Sequence, residues 1–339
     1  MAQSDRQRRR RLALGLALIT LALFVAGLAA GSDGWSLTGL AQTWSGPDGA
    51  LIVGQIRAPR TLGAWLTGAL LGLAGAIAQG LFRNPLADPY LLGSASGASL
   101  GVVLVLAASA LGGHAIALAT ADALARVGLV GAAFAGALLG VLLTLTLARG
   151  AQQTTRLLLA GVVVGVVLSA LSDLVTTAAP EALRGRQAFL LGSTGFLGWS
   201  SCAVLAIGLA LALPPAWRLA RALDALTLGA DSATSLGLAL PRIRFALVAA
   251  LALATGLAVS QAGLIAFVGL VAPHLVRRFA PATHGYTLIA SAAAGGVLLL
   301  MAAVLARTVI APQELPVGVL TALLGGGYLI WLLHRRQAA

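Results

Sequence analysis

The chain contains no lysine, although 22 of its 339 residues are basic. A phosphate-cradling loop of the Gly-x-x-x-x-Gly-Lys-Ser/Thr kind needs a lysine to reach the phosphates. Nucleotide hydrolysis of that class therefore cannot reside on this polypeptide. Cysteine is almost as scarce: Cys202 stands alone, which excludes an intrachain disulfide or a cysteine metal cluster. Charged residues make up only 9%, where soluble domains carry about a quarter, so there is too little charge to coat a water-facing surface. Acids number 10, and Asp173 is the clearest one at membrane depth, near the outer end of an apolar run. A carrier coupled to protons or sodium usually needs buried acids as coupling sites, and one acid near a helix end is a thin basis for that. His114, His274, His284 and His334 have no partners at metal-ligand spacing. No permanent metal or haem site is expected, although His114 falls on the outer side within reach of a passing ligand.

What the chain does have is apolar length. Hydrophobic residues make up 59%, and runs such as 12–31 and 288–306 are long enough to cross hydrocarbon as helices. They do not alternate as the strands of an outer-membrane barrel would. The fold class is all-α: one polytopic membrane domain over 1–339, with a short cytoplasmic tail at 1–11. Ten spans are expected at about 12–30, 61–81, 96–111, 127–147, 157–177, 202–214, 245–260, 263–276, 286–306 and 317–333. The first run follows "RQRRRR" and is long for a signal peptide's apolar stretch, so it is read as a retained helix. With the N-terminus inside, sixteen arginines fall in inner segments and six in outer ones. This is a positive-inside bias that places both termini in the cytoplasm. The stretch 245–276 is too long for one helix and short for two full ones, and the arginine count requires it to cross twice, as two short spans. Scattered at span ends, the arginines serve orientation rather than nucleic-acid binding. Glycines four apart, such as Gly68 and Gly72 or Gly97 and Gly101, suit close helix packing in lipid.

Three polar islands interrupt the pattern. At 81–101, Pro85 and Pro89 block helix continuation while Asn84 and Asp88 can bond locally, so a rigid inner turn is expected. The next helix then opens on a small polar face that includes Ser96 and Ser99. At 217–242, the longest inner loop, Leu219, Leu223 and Leu226 share a helical face that suits an interfacial helix. A second, short helix follows, with Asp231 as its cap and Gly237 at its C′ position. With Leu228 and Leu236 nearby, that short helix is either a plain surface element or one that inserts into a partner's groove. The third island is the outer set of Arg57, Arg60 and Arg307. These oppose the orientation bias, and they suit either lipid phosphates or carboxylates across an interface.

Taken together, "RNPLADPYLLG" (83–93), "TTRLLLAGVVVG" (154–165), "LGADSATSLGL" (228–238), "GLIAFVGLVAPHLVRR" (263–278) and "ELPVGVLTALLGG" (314–326) resemble the signatures of iron-chelate, haem and cobalamin uptake permeases. These are the transmembrane subunits of bacterial binding-protein-dependent ABC importers. The likeness runs from about residue 50 to 335. It implies a bacterial inner-membrane homodimer with two cytoplasmic ATP-binding subunits and a periplasmic binding protein. It implies no cofactor on the chain itself, ATP being used by the partner subunit. By the same resemblance Arg57, Arg60 and Arg307 are expected to dock the binding protein. Leu228, Gly229, Ala230, Asp231, Ser232, Leu236 and Gly237 are expected to couple to the ATPase. Asn84, Leu86, Thr154 and Thr155 are expected to form the cytoplasmic gate. Ser96, Ser99, Asp173 and Thr176 are candidates for the substrate path. The cargo expected on family breadth is a ferric siderophore first, haem second. The competing class is an ion-coupled transporter or channel without an ATPase.

Overall fold

The computed structural model describes residues 2–31, 34–112, 123–150 and 154–337; His114 lies outside them. In chain order the helices are α1 (Ala2–Ala29), α2 (Leu37–Ser45), α3 (Ala58–Phe82), α4 (Ser94–Leu111), α5 (Ala123–Leu147), α6 (Thr154–Ala178) and α7 (Glu181–Leu191). They continue as α8 (Trp199–Arg218), α9 (Ala220–Thr227), α10 (Ala230–Ser235), α11 (Leu240–Ala262), α12 (Val268–Phe279), α13 (His284–Thr308) and α14 (Val317–Gln337). A π-helix at Ala50–Arg57 runs directly into α3, and a 3₁₀ turn at Pro89–Leu92 precedes α4. Among the described residues, eight helices are long and apolar enough to cross a membrane. The apolar part of α14, Val317–Trp331, is shorter, as is the 12-residue α12.

The core forms around α3, which is buried along nearly its whole length and packs against α8, α11, α12 and α13. An apolar helix surrounded by helices gains nothing from hydrophobicity in lipid and must pack through close approach. Glycine makes that possible. A Cβ on Gly75 would lie 1.7 Å from the Gly269 carbonyl oxygen, and one on Gly97 would lie 2.1 Å from that of Gly136. The first contact seats α12 on α3, and the second locks α4 against α5. By contrast α1 leans on the outside of α13 and leaves Leu14, Leu18 and Leu21 exposed.

Two expectations are corrected. The stretch 245–276 divides into two helices as expected, but the first is not short: α11 covers Leu240–Ala262, roughly 35 Å of helix. Five irregular residues then lead into the 12-residue α12. Pro241 stands in the first turn of α11, where the missing N–H costs nothing, so the helix starts earlier than hydropathy alone placed it. Asp231 is also not a cap. Gly229, at φ +112, holds the N-cap of α10, while Gly237 takes the left-handed C′ position as expected.

The inner turn matches its sequence reading. Asn84 Oδ1 accepts from the Leu86 N–H at 2.9 Å and Asp88 Oδ1 from the Tyr90 N–H at 2.8 Å. On the outer side, helices α2 and α7 and the hairpin pairing Ala30–Gly31 with Gly34–Trp35 were not anticipated. They are too short or too polar to read as spans.

Candidate functional sites on the two faces and between them

At the outer end, the arginine trio converges on the start of α3 and the end of α13. Arg60 makes a two-pronged ion pair with Glu314, its Nη1 donating to Oε1 at 2.8 Å and its Nη2 to Oε2. Arg57, in the last turn of the π-helix, donates from Nη1 to the Leu28 carbonyl at 3.0 Å. Arg307 is only 5% exposed and donates to the Ala303 and Gly27 carbonyls at 3.1 and 3.3 Å. The trio is thus partly committed: Arg307 braces α1 against α13, and Arg60 is held by an acid of its own chain. Sequence reasoning did not single out Glu314, although an acid in an arginine-bearing outer loop was the available clue. The Arg60 hydrogen bonds hold the Glu314 carboxyl below its ordinary range, against the opposing effect of partial burial. A depressed carboxyl contributes stability above its unfolded value and loses it as pH falls through the folded one. The ion pair therefore persists at neutral pH.

At the inner end, α9 and α10 form a two-helix shelf. Leu223 and Leu226 are fully packed against the core, so α9 is buried rather than lying in the lipid interface. Asp224 fastens it to the start of α13: its Oδ1 accepts the His284 N–H at 2.9 Å and lies 2.7 Å from the ring Nδ1. On that base α10 buries Ala233, while Leu228 and Leu236 remain 70% and 67% exposed. Two large apolar side chains, one just before and one just after this short helix, have no intrachain reason to be exposed. Asn84 and Leu86 are exposed at the inner turn, and Thr154 and Thr155 open α6.

Between the faces, a groove of about 630 Å³ runs along α6 and the start of α4. It is lined by Asp88, Tyr90, Ser96, Ser169 and Asp173 among small residues. Ser169 Oγ donates to Ser96 Oγ at 3.1 Å, and Arg186 of α7 reaches Asp173 at 2.5 Å. Two sequence candidates, Ser96 and Asp173, sit in this groove. Ser99 and Thr176 are buried away from it, the latter bonded to backbone carbonyls of its own helix. Ser169 and Asp88 join the lining unforeseen. Ser169 is one helical turn from Asp173 on the same face, which is the signal that could have found it.

A family model described as the FecCD transport family matches residues 18–335. The chain belongs to that family. Curated relatives include the vitamin B12 import system permease protein BtuC of Salmonella typhi and of Salmonella typhimurium. Each is 39% identical over 98% of this chain and 97% of its own length. Among solved structures, a metal-chelate type ABC transporter in an inward-facing conformation superposes with a TM-score of 0.83 at 25% identity, covering 96% of this chain and 99% of the other. PsaBC from Streptococcus pneumoniae, solved with a Fab, superposes at 0.51 and 18% identity over 76% of this chain and 87% of its own, a likeness of fold only. As a FecCD-family member with these apolar helices, the chain is a multi-pass membrane transport subunit and not an enzyme.

Proposed function

We propose that this FecCD-family chain is the permease of an inner-membrane ABC importer for a large metal chelate of the vitamin B12 type. Two copies face each other, two cytoplasmic ATP-binding subunits drive them, and a periplasmic binding protein delivers the cargo. The observation that carries the reading is the exposed pair Leu228 and Leu236 flanking α10, a ready contact for a partner that supplies the hydrolysis this lysine-free chain cannot perform. The cargo class follows the full-length BtuC relatives, which move vitamin B12 ahead of the siderophore and haem expected from the sequence.

In this scheme no covalent chemistry occurs on the chain. A loaded binding protein lands on the arginine trio. Its chelate enters the groove of Asp88, Ser96, Ser169 and Asp173, doubled by the second copy. ATP binding draws the two partner subunits together, and α10 carries that motion through the Asp224–His284 link to α13. Asn84, Leu86, Thr154 and Thr155 stand at the inner exit as the gate.

The docking step gives a direct test on the whole importer in detergent or nanodiscs. Arg57→Glu with Arg60→Glu is expected to weaken binding-protein affinity about tenfold or more, the deficit growing as salt is lowered. Glu314→Gln, which releases Arg60 from its internal partner, is expected to strengthen it severalfold. Equal affinities for the parent and both variants at low salt would refute the docking assignment.

A further inference from the structure

Along the outside of the molecule, α1 and α13 diverge and leave a groove of about 530 Å³ that the transport scheme does not use. Its walls are mainly apolar, with Ala13 and Ala17 on α1 and Ala293 on α13 giving it room between larger side chains, and Phe24 and Trp65 toward the far end. From Ala13 to Phe24 it follows roughly 16 Å of helix, close to half of a hydrocarbon core of about 30 Å. The groove is therefore one leaflet deep. Its inner mouth opens directly under the arginine run, where Arg6, Arg8, Arg10 and Arg11 are exposed and Asp5 is the sole acid of α1.

At that mouth Arg9 is fixed in place. The Tyr286 hydroxyl donates to the Arg9 carbonyl at 2.9 Å, and the guanidinium lies 5.9 Å from the Tyr286 ring centre. Its Nε–H is nonetheless buried without an acceptor. A donor withdrawn from water and left unpaired is costly unless something else accepts from it. The needed acceptor is anionic, because the surrounding charge is cationic, and it must be attached to an apolar body about one leaflet long.

We propose that this groove is a binding site for one anionic phospholipid of the inner leaflet, with an acyl chain along Ala13, Ala17 and Ala293 and the phosphate accepting from Arg9. The site takes a headgroup of net negative charge in preference to a zwitterionic one. It ties α1, otherwise loosely attached, to α13.

Native mass spectrometry of the full-length protein, released from micelles doped with phosphatidylglycerol or phosphatidylethanolamine, tests this. Phosphatidylglycerol is expected to stay bound at one lipid per chain under conditions that strip phosphatidylethanolamine. Arg9→Gln should weaken its retention about fivefold, since one arginine near a membrane surface is worth about that factor; Arg9→Lys should keep most of it. Ala17→Trp, which fills the groove from an exposed position of α1, should abolish the adduct. Equal retention of the two lipids would overturn the proposal, as would phosphatidylglycerol retention unchanged by both Arg9→Gln and Ala17→Trp. If the tryptophan variant fails to fold, the comparison of Arg9→Gln with Arg9→Lys decides alone.

Discussion

Leu228→Asp with Leu236→Asp is expected to strip the ATP-binding subunits from this chain while leaving the membrane domain folded. Both side chains are more than half exposed and touch little of their own protein, so their loss costs the isolated chain little. Buried in a partner's groove, each leucine contributes about 1.5–3 kcal/mol, so losing both weakens association by about two to four orders of magnitude. Co-purification from membranes and transport-stimulated ATP hydrolysis are the readouts. Leu111→Asp, at a still more exposed leucine that ends α4, is the control and should leave both unchanged. Stoichiometric co-purification of the double variant would show that α10 is not the grip.

A second large effect is expected inside the bundle. Gly75→Leu must displace the backbone of Gly269, because even its Cβ would fall 1.7 Å from the Gly269 oxygen. Overpacking of a close core commonly costs about 1–3 kcal/mol and sometimes more. Here the obstacle is main chain rather than a side chain that can rotate away, so the upper end or beyond is expected. Gly75→Ala should already lower the thermal transition, and Gly75→Leu should prevent recovery of monodisperse protein. Gly128→Leu, on an exposed face of α5 with nothing near its Cβ, should express normally. Comparable yields for Gly75→Leu and Gly128→Leu would contradict the packing account.

The residues that could be read from sequence share a physical trait: their environment is set locally. The turn around Pro85 and Pro89 is fixed by ring geometry and by two side chains bonding two residues onward. It needed no knowledge of the rest of the fold. Gly237 is equally local. The spans followed from apolar length, and arginine placement gave their direction. What escaped were features made by distant segments. Glu314 meets Arg60 across 254 positions and His284 meets Asp224 across 60, and no periodicity reports such pairs. Burial also redistributed roles. Ser99 and Ser96 lie three apart on one polar face, yet only Ser96 reaches the groove. Arg307, exposed in a linear reading, folds back onto two carbonyls. The break within 245–276 was expected near 261–262 and falls at 263–267, because Gly263 and Phe267, both at positive φ, end one helix and begin another with no charge between them to mark the place.

The most direct measurement of the central claim is cargo uptake into proteoliposomes built stepwise from purified parts. A corrinoid should accumulate only when this chain, its ATP-binding subunits, the loaded binding protein and ATP are all present, and omission of any one should return uptake to background. Accumulation driven by a proton or sodium gradient through this chain alone would contradict the account.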